Sequence, residues 1–349
     1  MSLPPNLQRL GFFTRLLDAA PAAERYRLAA EQIAHAEHLG FDTAWVAQHH
    51  FHEHEGGLPS PFVFLGHLAA RTSRIRLGTG IVTLPLELPV RVAEDAIVLD
   101  LLSAGRLELG VGNGGNPTAF AGFELDDARR TDLFVRNLTR LRDALAGKPI
   151  PGGDALYPSQ PTLTDRIWQA TFSVAGGARA GLAGDGLLLS RTQPRPAETA
   201  DATLAERQGP IIDAYLAALP QGRTPRIVAS RSVFVADTRS DALRLADVGL
   251  RNAVRRFIER GHRVPGGNLA DLIRAFDVHV GTPPEVIASL RADPTLARVT
   301  DLAVQVHSVD PPHPWTLRSI ELVAEEVAPA FGWRPASDWS QQVPLGNVA

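Results

Sequence analysis

The octapeptide QHHFHEHE, residues 48–55, places four histidines and two glutamates in one short run. Imidazole with an ordinary pKa of roughly 6.5 exchanges protons near neutrality, and it is also a common ligand for divalent metals. His50 and His52 have the His-x-His spacing that barrel metallohydrolases use on their first strand, but here the pair follows the second strand. The fifth and sixth strand ends add no histidine or carboxylate, and His307 is the one distant histidine that could join. A carbamylated lysine bridging two metals is also lacking, because Lys148 is the single lysine and reads as a helix end entering a loop. No metal is therefore expected, and His52 and His54 read as an exposed loop. Two glycine-rich runs offer different chemistry. GVGNGGNP, from Gly110 through Gly112 and Asn113 to Pro117, would let a planar ligand approach the backbone, since glycine has no Cβ. AGGAR, with Gly176, Gly177, Ala178 and Arg179, opens a helix whose N–H groups could receive a phosphate. The AGGAR run reads equally well as a tight turn, and GVGNGGNP taken alone is more often a turn than a ligand site.

The elements that would position these residues alternate short β-rich runs with longer amphipathic ones, the pattern of a parallel sheet with helical crossovers. Strands are predicted at residues 10–15, 43–47, 74–84, 106–112, 171–175, 186–190, 226–236 and 301–306. Helices are predicted at 22–39, from Ser60-Pro61 onward, and at 89–102, 128–146, 178–183, 197–219, 240–259 and 314–330. A further helix starts at Thr282-Pro-Pro-Glu285, which has a capping threonine and proline at the first position. The expected fold is a (β/α)8 TIM barrel with its site at the strand ends and extended loops after strands four and seven, at 148–169 and 261–281. An open doubly wound sheet is the alternative, but no strand-glycine-helix dinucleotide fingerprint follows strand one. Residues 1–332 form one domain on this reading. Residues 333–349 form a polar tail with two tryptophans, either packed on a partner subunit or loose.

Composition narrows the function. The chain has 349 residues, 44% hydrophobic and 21% charged, with a formal net charge of −3. That balance gives no reason to expect nucleic acid or an anionic membrane as a partner. Without cysteine, thiolate nucleophiles, disulfides and iron–sulfur clusters are excluded. No apolar run is long enough to span a bilayer and the first residues lack the pattern of a secretion signal, so a cytoplasmic protein is expected.

Three stretches together resemble the bacterial luciferase-like, flavin-dependent monooxygenases: GFDTAWVAQHHF, SPFVFLGHLAARTSRIRLGTGIVTLP and RVAEDAIVLDLLSAGRLELGVG. The likeness covers the first four βα units and continues more faintly through SVAGGARAGLAGDGLLLS and GTPPEVIASL. It implies a barrel that binds reduced FMN supplied by a separate reductase. Oxygen then adds at flavin C4a to give a peroxyflavin that oxygenates a small organic substrate. By this resemblance His49 is the catalytic histidine and His50 its neighbour, with strand alternation turning only one ring to the flavin. Thr79, Gly80 and Ile81 match the segment along the flavin ring, which in the family sometimes contains a non-proline cis peptide. Asn113 falls where luciferase has an arginine near the phosphate. Gly176, Gly177, Ala178 and Arg179 match the phosphate loop, and Ser190 and Arg191 the strand-six end beneath the ring. Gln48 stands where such sequences usually have glutamate, and Arg179 or Arg191 is the candidate to replace the arginine absent at Asn113. A homodimer through helices of the first half is also implied. The alternatives are an F420-dependent oxidoreductase of the same fold and a non-catalytic flavin-binding relative.

Overall fold

The computed structural model describes residues 7–194, 202–259 and 267–335. Its sheet contains β1 (Arg9–Thr14), β2 (Thr43–Val46), β3 (Arg76–Thr79), β4 (Val82–Thr83), β5 (Leu107–Gly112), β6 (Ile167–Ala170), β7 (Gly186–Leu189), β8 (Ile227–Val235), β9 (Val278–Gly281) and β10 (Asp301–Gln305). Eight of these strands run in the order β10-β1-β2-β3-β5-β6-β7-β8, and parallel pairing of β10 with β8 closes the barrel. β2, β5, β7 and β8 are buried at every residue. That follows from a sheet filled on its inner face and covered by helices on the outer one.

The barrel interior is packed. Trp45, Trp168, Leu188, Val228 and Ala303 form one cluster, with the two indoles edge to face at 5.6 Å. Glycine is required beside each indole: a Cβ on Gly78 would lie 2.3 Å from Trp45 Cε3, and one on Gly186 2.1 Å from Trp168 Cε3. A second, larger core lies between sheet and helices. There α1 (Ala22–His38) buries Ala29, Ile33 and Ala36, the face its periodicity predicts. The helix α10 (Pro283–Arg291) starts as expected, with Glu285 Oε2 accepting the Thr282 N–H at 2.9 Å. Ser60 precedes α2 (Pro61–Ala69), but its hydroxyl makes no capping bond.

Three expectations need correction. The fifth barrel strand is Ile167–Ala170, not 171–175, because Ser173 Oγ accepts the Gly176 N–H at 3.1 Å and starts α6 (Val174–Leu182). The loop assigned to 148–169 therefore overlaps that strand and contains a 3-10 turn, Pro161–Arg166. The segment 261–281 contains α9 (Leu269–Ala275) and β9, which extends pairing along the far end of β8; residues 260–266 lie outside the described residues. In the tail, Trp333 packs on its own barrel and donates to Asp42 Oδ2 at 2.8 Å, while residues 336–349 lie outside the described residues. Among the described residues, no helix is long and apolar enough to cross a membrane.

Candidate active site

A cavity of about 790 Å³ opens at the carboxyl ends of the barrel strands. Its floor is the upper surface of the interior cluster, including Phe13, Trp45, Ile81, Ala170 and Leu188. The histidine pair stands at its edge. β2 ends at Val46, so residues 47–50 are no longer strand and alternation does not apply; His49 and His50 both line the cavity. The intervening backbone is pinned by Gln48, whose amide donates to Pro59 O at 3.1 Å and Glu87 Oε1 at 2.8 Å and accepts from Thr83 N at 2.7 Å. His49 N–H also donates to Leu58 O at 3.1 Å.

Burial holds the His49 ring well below its ordinary pKa, and the Arg15 and Arg191 guanidiniums and His50 push the same way. At neutral pH it is an uncharged imidazole, and its buried Nδ1 has no hydrogen-bond partner among the described residues. Such a ring can accept a proton from a ligand in the cavity. Burial also lowers His50, which stands edge-on to Phe123 at 4.9 Å with Phe51 beside it.

At the next strand the chain breaks at Gly80–Ile81, joined by a cis peptide bond, before β4 resumes pairing with β5. Gly80 and Ile81 line the cavity. Thr79 does not: its hydroxyl donates to Gly110 O at 2.7 Å and accepts from Gly110 N at 2.8 Å, tying β3 to β5. Gly112 and Asn113 line the wall, and Asn113 Nδ2 donates to Thr131 Oγ1 at 3.2 Å. Thr131 and Arg130 open α5 (Arg130–Leu145), while Thr171, Phe172 and Ser173 lead into α6. Two helix N-termini and one guanidinium thus border the β5–β6 side of the cavity, an arrangement suited to an anion.

Gly176, Gly177, Ala178 and Arg179 lie within α6 and not among the cavity-lining residues. A Cβ on Gly177 would sit 2.5 Å from Ile211 O, so that glycine lets α6 approach α7 (Leu204–Ala218). Arg179 donates to Gln169 Oε1 at 2.9 Å and lies over the Phe134 ring, on the helix side of the sheet. Ser190 and Arg191 line the cavity. Arg191 Nε donates to Gln305 Oε1 at 2.7 Å and Nη1 to Ser232 Oγ at 3.1 Å. Burial and the nearby Arg15 push Arg191 down to about 9.

Sequence reasoning placed Arg15 at the end of strand one without a role, and passed over Arg130, Thr131, Ser173, Ser230 and Gln305; all six line the cavity. Arg15 was detectable from its place directly after β1, and Ser173 from its capping distance to Gly176. Arg130 had no local signal. The remaining histidines are elsewhere. His52 contacts Thr118 Oγ1 at 3.1 Å and stacks on His54, and buried His307 pairs with Asp18 Oδ2 at 3.1 Å. Among the described residues, no three or more histidine, aspartate or glutamate side chains are grouped to hold a metal ion.

The sequence model of the luciferase-like monooxygenases matches residues 10–298. Among curated proteins, 4-hydroxyprotoasukamycin monooxygenase of Streptomyces nodosus subsp. asukaensis is 34% identical over 223 residues, covering 59% of this chain and 58% of that protein. Limonene 1,2-monooxygenase of Rhodococcus erythropolis is 32% identical over 179 residues, covering 47% of this chain and 44% of that protein. The chain spans about half the length of the curated relatives it matches. Among solved structures, a monooxygenase from Streptomyces bottropensis superposes with TM-score 0.75 at 25% identity, covering 93% of this chain and 99% of that one. With barrel, strand-end cavity and family match in agreement, the chain belongs to the luciferase-like monooxygenase family.

Proposed function

We propose that this chain is the oxygenase of a two-component system, using reduced FMN from a separate reductase, and dioxygen, to oxygenate a small organic substrate. One observation carries the reading: a single cavity joins an anion-binding border at β5–β6 to a neutral, buried histidine. The residues fit the cofactor. Arg130, Thr131, Thr171 and Ser173 would hold its phosphate, and the backbone at Gly80–Ile81 and Gly112 would lie along its ring. The buried Asn113 Oδ1 and His49 Nδ1, both without partners among the described residues, are polar atoms that a bound ligand would satisfy. Bound reduced FMN supplies the activation of dioxygen. The chain's own part is to exclude water above an apolar floor and to let His49 take up or return a proton beside the substrate.

Homodimerisation belongs to the same proposal. Val63 on α2, Leu88 just before α3 (Pro89–Leu102) and Leu102 at its end expose 76%, 75% and 71% of their surface, apolar side chains that a second copy would cover. A cytoplasmic location, beside the reductase, is part of the same proposal.

The experiment is an anaerobic titration with reduced FMN, riboflavin and F420, followed by admission of oxygen. Reduced FMN should bind at least about tenfold tighter than riboflavin, and Arg130→Met should remove that preference. Binding of F420 in its place, or no binding of reduced FMN, would refute the proposal.

A further inference from the structure

The cavity has a second polar region that the phosphate border does not explain. It lies on the arc β7–β8–β10–β1, where Arg191, Ser230, Gln305 and Arg15 line the void. Arg191's hydrogen-bond partners among the described residues are the neutral side chains of Gln305 and Ser232. Gln305 spends its carbonyl oxygen on Arg191, which leaves Nε2 buried without a partner among the described residues, and Ser230 Oγ is in the same condition. His49 lines the same cavity, and its Nδ1 is likewise buried without a partner among the described residues. Among the described residues, the charged side chains lining the cavity are Arg15, Arg130, Arg191 and Glu55, in a chain whose formal net charge is −3. A half-buried guanidinium whose hydrogen bonds go to neutral partners is a ready place for an anion, and donors left over around it match the lone pairs of an oxyanion.

We propose that the arc formed by Arg191, Gln305, Ser230 and Arg15 is the specificity site of this enzyme, and that it binds a carboxylate carried by the substrate. The inference rests on the oxygenase reading for calling that anion a substrate; the anion site itself stands on the side chains alone. Burial and then Arg15 push Arg191 down to about 9, and the more weakly acting Asp277 and Asp310 offset only part of that. The substrate class is thus a small organic acid, held by its carboxylate on this arc, with its oxidisable carbon over the apolar floor beside His49.

The test uses benzoate and benzamide, a pair of equal shape that differs in charge, titrated by calorimetry into the protein with and without FMN. Benzoate should bind at least about tenfold tighter than benzamide at pH 7.5. Arg191→Gln should reduce that preference to threefold or less while FMN affinity stays within threefold; Arg191→Lys should retain part of it. Gln305→Leu, which keeps the charge, should weaken benzoate severalfold and serves if the arginine variants do not fold. Equal binding of the two probes by the unaltered protein would overturn the proposal, as would an unchanged preference in Arg191→Gln. If Arg191→Gln instead weakens FMN more than tenfold, the arc serves the flavin ring and the proposal also fails. Absence of FMN binding with the benzoate preference intact would refute the flavin reading and leave the anion site standing.

Discussion

Gln48 occupies the position before the histidine pair where the resemblance to luciferase-like sequences leads one to expect glutamate, and the structure says what a carboxylate there would do. Its amide is buried and donates twice, to Pro59 O at 3.1 Å and to Glu87 Oε1 at 2.8 Å. Gln48→Glu removes both donors. Leaving Pro59 O without its bond costs about 1 kcal/mol, and losing a bond to a charged carboxylate about 1.5–3 kcal/mol. The two carboxylates would then face each other at hydrogen-bond distance, and both cannot stay ionised. The sum is about 4 kcal/mol at pH 8. The sign with pH follows from proton linkage. Burial already raises Glu87, and the new pair raises the folded-state pKa further above the ordinary value of 4.5. The folded variant then holds more protons than the unfolded chain, so its stability falls as pH rises through that window. Urea unfolding should give a penalty of about 4 kcal/mol at pH 8 that shrinks by half or more at pH 5.5, where one shared proton restores a donor. Adding Glu87→Gln reverses donor and acceptor and should recover all but about 1 kcal/mol. A penalty below about 1 kcal/mol at pH 8, or one that does not diminish with acid, would refute the argument that this amide network sets the backbone beneath His49.

Three further outcomes are expected. Burial and Arg231 push His279 down to about 4 from its ordinary 6.5, so the protein should lose about 2 kcal/mol between pH 7 and pH 5 through this ring alone. Unfolding curves at the two pH values should lose that difference in His279→Gln, and an unchanged slope would count against a buried neutral ring. Gly177→Ala should destabilise by about 2–3 kcal/mol through contact with Ile211 O, with FMN affinity of the folded protein unchanged. Weaker FMN binding at full stability would make that glycine part of a phosphate loop instead. Benzoate binding should draw protons onto His49, since burial keeps the ring neutral with help from the Arg15 and Arg191 charges, and an anion offsets those charges. Calorimetry in two buffers of different ionisation enthalpy at pH 6.5 should show this uptake and lose it in His49→Gln; equal enthalpies in the unaltered protein would disprove it.

The sequence disclosed the barrel because its signals are local and repeated: α1 has its apolar stripe at Ala29, Ile33 and Ala36, and α10 its capping glutamate. It misplaced β6 because TFSVA looks more like a strand than IWQA, whereas the Ser173 hydroxyl bonds its own chain and turns the segment into a helix start. Alternation separated His49 from His50 on the premise that the strand continues, but β2 stops at Val46. Gly176 and Gly177 carry the composition of a phosphate cradle, yet the space they leave is filled by Thr171 and Ile211. A missing Cβ shows that something approaches closely, not whether the visitor is ligand or protein.

The cationic lining of the cavity was illegible for another reason. Charge counted along the chain gives −3, and most arginines with a carboxylate nearby spend their charge on it, as Arg166 does on Asp100 and Arg231 on Asp293. What distinguishes Arg191 is the neutral company it keeps, Gln305 from β10 and Ser232 from β8, residues 114 and 41 positions away. No spacing rule joins them; only closure of β10 onto β8 brings them together. The same closure sets His49 within the field of Arg15 and Arg191, so the histidine's proton affinity is a property of the barrel rather than of QHHFHEHE. A motif can nominate the residue that moves a proton, but the charges that decide when it moves come from strands far away in sequence.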